Sequence, residues 1–126
     1  MSGAFLADAC ALLAYFAGSG MTPAGMAALQ GEVSISAITV WELARKSALG
    51  KLPPLPGAGD GFAFYLVTQG FTPLPLTWSD AEQANQLPPL HKDPMDRMLI
   101  AQAKRTGLTV ITEDGLFAEY GVRTVW

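Results

Sequence analysis

The stretch His91-Lys92-Asp93-Pro94-Met95-Asp96-Arg97-Met98-Leu99-Ile100-Ala101-Gln102-Ala103, followed by the β-branched run Leu108-Thr109-Val110-Ile111-Thr112, decides the fold of this chain. Asp93 before Pro94 marks a helix start: an N-cap carboxylate, then proline at the first helical position, where its missing N–H costs nothing. Asp96 falls at the third helical position, where an acid favours the positive end of the helix. Gly107 closes the helix, with Lys104 and Arg105 in the last turn. At about 100° per residue, Asp96, Leu99, Ile100 and Ala103 share one face, so a carboxylate sits on an otherwise apolar stripe. A carboxylate turned toward the interior needs a partner or a cation, and the rest of the chain has to supply it.

Working outward, the same alternation recurs. Residues 4–7 are an apolar run stopped by Asp8, which reads as a buried strand. An Ala- and Leu-rich helix over 9–17 is closed by Gly18 and Gly20. Thr22 and Pro23 open a helix to about residue 30. Residues 33–36 are strand-like, and Ser36 then caps a helix over 37–49 that Gly50 ends. Residues 51–61 carry three prolines and three glycines and read as a surface loop. Residues 62–69 are helical and 71–76 extended, with Pro73 and Pro75 confining that segment to an edge strand. Ser79, or Thr77 just before it, starts a helix to about residue 86, and Pro88 and Pro89 stiffen the loop before His91. A strand over 108–112 ends at Glu113 and Asp114; a short helix over 116–120 and a strand over 122–126 complete the chain. Strands alternating with helices imply βαβ units, a parallel sheet and helices on both faces. In such sheets the ligand site lies off the carboxyl ends of the strands.

Composition narrows the function. The 126 residues read as a single domain over 1–126, half of them hydrophobic and only 15% charged. So apolar a chain folds compactly and has surface to bury against a second copy or a partner. A net charge of −3 with 8 Lys and Arg excludes nucleic-acid binding through general positive charge and leaves it to local basic residues or bound metal. The single cysteine, Cys10, fits a reducing cytoplasm and reads as a small apolar packing residue in its Ala/Leu helix. No run approaches the ~18 apolar residues of a membrane span. No Lys or Arg precedes the first apolar residues, so no signal peptide is expected. The expectation is a soluble, cytoplasmic protein with no membrane partner.

Asp8 and Asp114 each follow a strand. In a parallel sheet both carboxylates therefore project at one edge, although most of the chain separates them. Asp96, at the start of the helix leading into the second of these strands, can join them. So can Glu42, early in the helix after the strand of 33–36. Each acid also has an ordinary reading. Asp8 and Asp114 can cap the helices that follow, and Glu42 can pair with Arg45 or Lys46 one turn on. Asp93 reads as a cap rather than a ligand. Two carboxylates about 4 Å apart repel by roughly 4 kcal/mol at an effective dielectric of ~20. Three or four together would consume much of the ~5–15 kcal/mol that stabilises a domain, so they must take up protons or hold a cation. An all-oxygen donor set favours Mg²⁺ or Mn²⁺ over Zn²⁺. Such ions retain water, activate it and neutralise phosphate, which suits in-line phosphodiester hydrolysis.

Leu87-Pro88 and the stretch from His91 to Ala103 resemble the signature of PIN-domain proteins of the VapC toxin type. Asp8 with Ala11-Leu12, Trp41-Glu42-Leu43 with Gly50-Lys51-Leu52, Thr112-Glu113-Asp114 and the terminal Trp126 resemble its other blocks in order and spacing. The resemblance covers essentially the whole chain. It implies a three-layer α/β/α sandwich around a central, mostly parallel sheet of about five strands. It also implies a metal-dependent endoribonuclease using Mg²⁺ or Mn²⁺. The family's acids map onto Asp8, Glu42, Asp96 and Asp114, with Thr112 at a family hydroxyl position near the metal. The family is typically the toxin of a type II toxin–antitoxin pair, commonly a homodimer, inhibited by an antitoxin covering the site. One departure is Ala9, where the family usually has a hydroxyl residue.

Other residues carry weaker signals. His91, alone in a loop beside Lys92, reads as structural rather than as a general base. Arg97, Arg45, Lys46 and Lys92 are candidate contacts for RNA phosphates, against the ordinary reading of solvated helix charges. Trp41 and the methionines read as core or dimer surface. Two other functions compete with the ribonuclease. One is a catalytically inactive PIN fold that binds RNA or protein, which the loss of an acid would favour. The other is a flavodoxin-like phosphoacceptor domain, which would want a lysine after a late strand where this chain has Thr112-Glu113-Asp114.

Overall fold

Capping chemistry sets where the helices begin. In the computed structural model, which describes residues 4–57 and 59–126, the chain runs β1 (Ala4–Ala7), α1 (Ala9–Ala17), α2 (Pro23–Leu29), β2 (Glu32–Ser36), α3 (Ala37–Ala48), α4 (Phe62–Thr68) and β3 (Thr72–Leu74), then α5 (Trp78–Gln86), α6 (Pro94–Thr106), β4 (Thr109–Ile111), a 3₁₀ helix (Gly115–Tyr120) and β5 (Thr124–Val125). Residues 1–3 of the expected domain span and residue 58 of the expected loop lie outside the described residues. Asp93 accepts from the Met95 amide at 2.9 Å and Asp8 from Ala11 at 2.8 Å. Thr22 and Ser36 cap α2 and α3 in the same way. Thr77 and Asp80 close a reciprocal capping box on α5.

The five strands form one sheet in the order β3-β2-β1-β4-β5, every neighbouring pair parallel. Pro73 and Pro75 restrict their segment to an edge, and β3 is an edge strand. From β1 the chain steps through β2 to β3 on one side, then returns through β4 to β5 on the other. Right-handed crossovers therefore put α1–α4 on one face and α5–α6 on the opposite face, and the side chains agree. Phe5, Ala7 and Ile111 pack with Leu12, Leu29, Leu43 and Leu66, while Leu6 and Val110 between them pack with Leu99, Ile100 and Phe117. Two ends are shorter than the apolar runs suggest: β4 stops at Ile111 and β5 spans two residues, and the segment around 116–120 is 3₁₀ rather than α. Pairing nonetheless extends past β1 and β4, since Asp8 N donates to Ile111 O and Thr112 N to Val125 O. No helix among the described residues is long and apolar enough to cross a membrane.

Helices α5 and α6 are pinned by Asp80, fully buried, which accepts from Arg105 Nε at 2.6 Å and Nη2 at 2.9 Å. Burial pushes the Asp80 carboxyl up, but the Arg105 guanidinium and the Thr77 cap outweigh it and hold the carboxyl below its usual range.

The last strand is docked by a glycine. A Cβ on Gly25 of α2 would lie 1.7 Å from the Trp126 carbonyl oxygen, which accepts from Thr22 N at 3.0 Å. Alanine would raise helix propensity by about 1 kcal/mol. Against that stand overpacking of roughly 1–3 kcal/mol and the Thr22–Trp126 bond, worth about 1 more. Gly25→Ala is therefore expected to lower the urea midpoint; an unchanged or higher midpoint would contradict this docking.

Candidate metal centre

The strand order reverses between β1 and β4, and the carboxyl ends of strands at such a switch point are where parallel sheets place their ligand sites. Asp8 is the first residue after β1 and is buried there, tied to β4 by its backbone bond to Ile111. Thr112, also buried, follows β4; its hydroxyl accepts from Asp114 N at 3.1 Å and lies against the Asp8 carboxyl. Asp114 comes next and caps the 3₁₀ helix through Oδ1, with Leu116 N at 2.9 Å. Asp96, on the first turn of α6, comes over the opposite face and reaches the same edge. The capping reading of Asp8 and Asp114 holds, since one oxygen of each caps a helix; Asp114 also stands beside Asp96, while Asp8 is within charge range of both without joining their group.

His91 stands between two of the acids. Its Nε2 lies 2.7 Å from Asp114 Oδ2 and 3.1 Å from Asp96 Oδ2. One atom from each of His91, Asp96 and Asp114 falls within 4.8 Å of the other two. The ring packs edge-on against Phe117, and the loop before it is tied down by Tyr120 and Arg97. Tyr120 Oη donates to Pro88 O at 2.6 Å and accepts from Leu90 N and His91 N. The Arg97 guanidinium donates to the carbonyls of Leu87, Pro88 and His91. Sequence reasoning gave His91 a structural place and did not bring it to the acids, and it gave Tyr120 no role. The only available signal was a histidine two residues before an Asp-Pro cap.

The electrostatics are those of an unneutralised acid cluster. Burial pushes the Asp96 carboxyl up to about 6, with Asp93, Glu42 and Asp8 adding to the rise and His91 opposing it. Burial also pushes Asp8 up, helped by Glu42 and Asp114 and resisted by the Thr112 hydroxyl and the Ala11 amide. Glu42 thus lies within charge range of both. Its carboxylate also makes the ordinary helix pair with Lys46, at 2.8 Å, and this pair holds the Lys46 ammonium above its usual range.

The basic candidates divide. Lys46 stands at the rim beside Glu42, and Lys92 is exposed next to His91. Arg45 lies over the ring of Trp41, which is 52% exposed and so belongs to the surface rather than the core. Arg97 is committed through Nη1 and Nη2 to backbone carbonyls. Asp93 caps α6 and acts on Asp96 only through its charge. Cys10 is exposed, not packed as expected, because its position on α1 points away from the sheet. An apolar cavity of about 410 Å³ lies between α3, α4 and β3, and no titratable side chain lines it.

The family model for the PIN domain matches residues 5–122. Among solved structures, the FitAB complex bound to the IR36 DNA fragment is 21% identical with a TM-score of 0.59, over 95% of this chain and 92% of that one. A toxin–antitoxin complex from Klebsiella pneumoniae is 19% identical with a TM-score of 0.58, over 86% and 85%. FitAcB from Neisseria gonorrhoeae is 21% identical with a TM-score of 0.57, over 97% and 96%. At these identities the likeness is one of fold. No curated protein sequence matches the chain significantly.

Proposed function

Because the chain belongs to the PIN-domain family, we propose that it is a metal-dependent endoribonuclease of the VapC type, the toxin of a type II toxin–antitoxin pair. The observation that carries this reading is the meeting of Asp96 and Asp114 around His91, with Asp8 and Glu42 within charge range, beyond the carboxyl ends of β1 and β4. Their mutual repulsion fits a divalent cation. Oxygens of Asp96 and Asp114 within 4.8 Å repel by about 3 kcal/mol at an effective dielectric of ~20, and burial raises the cost of charging Asp8 and Asp96. All-carboxylate donors suit Mg²⁺ or Mn²⁺. Asp8, Asp96 and Asp114 would hold the ion, with Glu42 beside them; the ion would neutralise phosphate charge and activate water. Thr112 fixes the Asp8 and Asp114 side of the cluster, and Lys46 and Lys92 offer positive charge near the rim to a phosphate backbone.

An antitoxin partner is supported by the complexes that share this fold, two of which are described as toxin–antitoxin or FitAB assemblies. A cytoplasmic homodimer, formed by one domain over the whole chain, completes the proposal. Purified protein is expected to cleave single-stranded RNA with Mg²⁺ or Mn²⁺ and to lose that activity in excess EDTA. Cleavage that persists in EDTA, or none with either ion, would sink the reading.

A further inference from the structure

We propose that His91 is a positioning residue of the acid cluster, its ring locked with the proton on Nε2, where it donates to Asp114 and Asp96 and fixes how the lone pairs left on their carboxylates are oriented. The inference rests on the metal-nuclease reading and adds a role for a residue outside the four acids. The tautomer follows from the hydrogen bonds. Asp93 N donates to His91 Nδ1 at 3.2 Å, so Nδ1 is an acceptor and the ring proton sits on Nε2. That proton points at two carboxylate oxygens, 2.7 and 3.1 Å away. An N–H has no lone pair to offer a cation, so His91 is not itself a ligand, although its nitrogen and two carboxylates lie together at ligand-like spacing.

The rest of the residue is held as firmly as its ring. His91 N donates to Tyr120 Oη at 2.8 Å, its carbonyl accepts from Arg97 Nη1 at 3.1 Å, and Phe117 meets the ring edge-on at 89°. The hydrogen bonds on Asp114 then complete the orientation: Oδ1 is held by Leu116 N and Oδ2 by His91, so both oxygens of the carboxylate are oriented. Asp8 is fixed by Ala11 N. The carboxylates are thus set in place before any ion arrives, which is how outer groups raise metal affinity.

The test uses Mn²⁺ alone, without RNA, on the full chain. Wild type is expected to bind Mn²⁺, His91→Leu about 10–100-fold more weakly, and His91→Gln, which keeps an N–H donor near the Nε2 position, within several-fold of wild type. Long-range ¹⁵N–¹H correlations of wild type at mildly alkaline pH are expected to place the proton on Nε2. Pulsed EPR of bound Mn²⁺ should lack the modulation of a directly coordinated imidazole nitrogen. Equal affinity in His91→Leu, a proton on Nδ1, or a coordinated imidazole overturns the proposal and leaves the nuclease reading standing. Wild type that binds no Mn²⁺ overturns both. If His91→Leu fails to fold, the two wild-type spectra still decide.

Discussion

Asp96→Asn is expected to lose RNA cleavage by more than about a hundredfold and, without metal, to be more stable than wild type. The two effects have opposite signs and one cause. Removing groups that merely support a metal ligand typically costs about 10–100-fold, so removing a ligand should cost more. In the metal-free protein the same carboxylate is a liability. Burial and the surrounding acids raise it from 3.8 to about 6, so the folded state binds its proton more tightly than the unfolded chain does. The resulting stabilisation is complete below about pH 4 and is lost as pH rises through 6. Above that, the rise corresponds to about 3 kcal/mol held against folding, equivalent to roughly 10 °C in Tm for a domain of this size. An amide carries no charge, and its oxygen still accepts from His91 Nε2. Melting curves in EDTA at neutral pH should therefore place Asp96→Asn above wild type. Adding Mn²⁺ should raise wild type and leave the variant unmoved. Wild-type cleavage should climb as pH rises through about 6, because proton and cation compete for one carboxylate. A variant less stable than wild type in EDTA, or one that still cleaves, would remove Asp96 from the site.

The sequence disclosed most where local chemistry decides structure. Asp93-Pro94, Thr22-Pro23 and Ser36 each announce a helix start, because an N-cap bond spans two or three residues and needs nothing from the rest of the fold. The alternation of Phe5, Leu6 and Ala7 between two cores was readable only as a buried run, and which helices cover which face follows from the order of the strands. Parallel strands carry whatever follows them to one edge, so Asp8 and Asp114 come within charge range of each other without any local signal linking them. Cys10 was not legible in the same way: its Ala-rich helix has no strong apolar stripe to say which side turns outward, and the residue faces solvent. His91 was illegible for a different reason. Its partners lie 5 and 23 positions away, on a helix start and a strand end, and it is delivered to them by an irregular loop. No periodicity describes such a segment; only the tertiary ties to Tyr120 and Arg97 do.

Those ties make Arg97→Ala the second informative variant. From the sequence, Arg97 is a solvated helix charge that could touch an RNA phosphate. On that reading its loss would weaken RNA binding, flatten the salt dependence and leave the fold intact. The structure assigns its guanidinium to three carbonyls, those of Leu87, Pro88 and His91, with Tyr120 Oη at the edge of reach. Hydrogen bonds to a charged donor contribute about 1.5–3 kcal/mol each when buried. These bonds are part-buried to exposed, and water replaces some of them, so the expected loss is about 3 kcal/mol, or roughly 10 °C in Tm. Cleavage should fall as well, through loosening of the segment that carries His91, with the loss in kcat rather than in KM. Arg97→Lys should not rescue either property, because an ammonium cannot span three carbonyls as the planar guanidinium fork does. A stable Arg97→Ala protein whose defect lies only in KM would return Arg97 to the phosphate surface and leave Tyr120 alone to hold the loop.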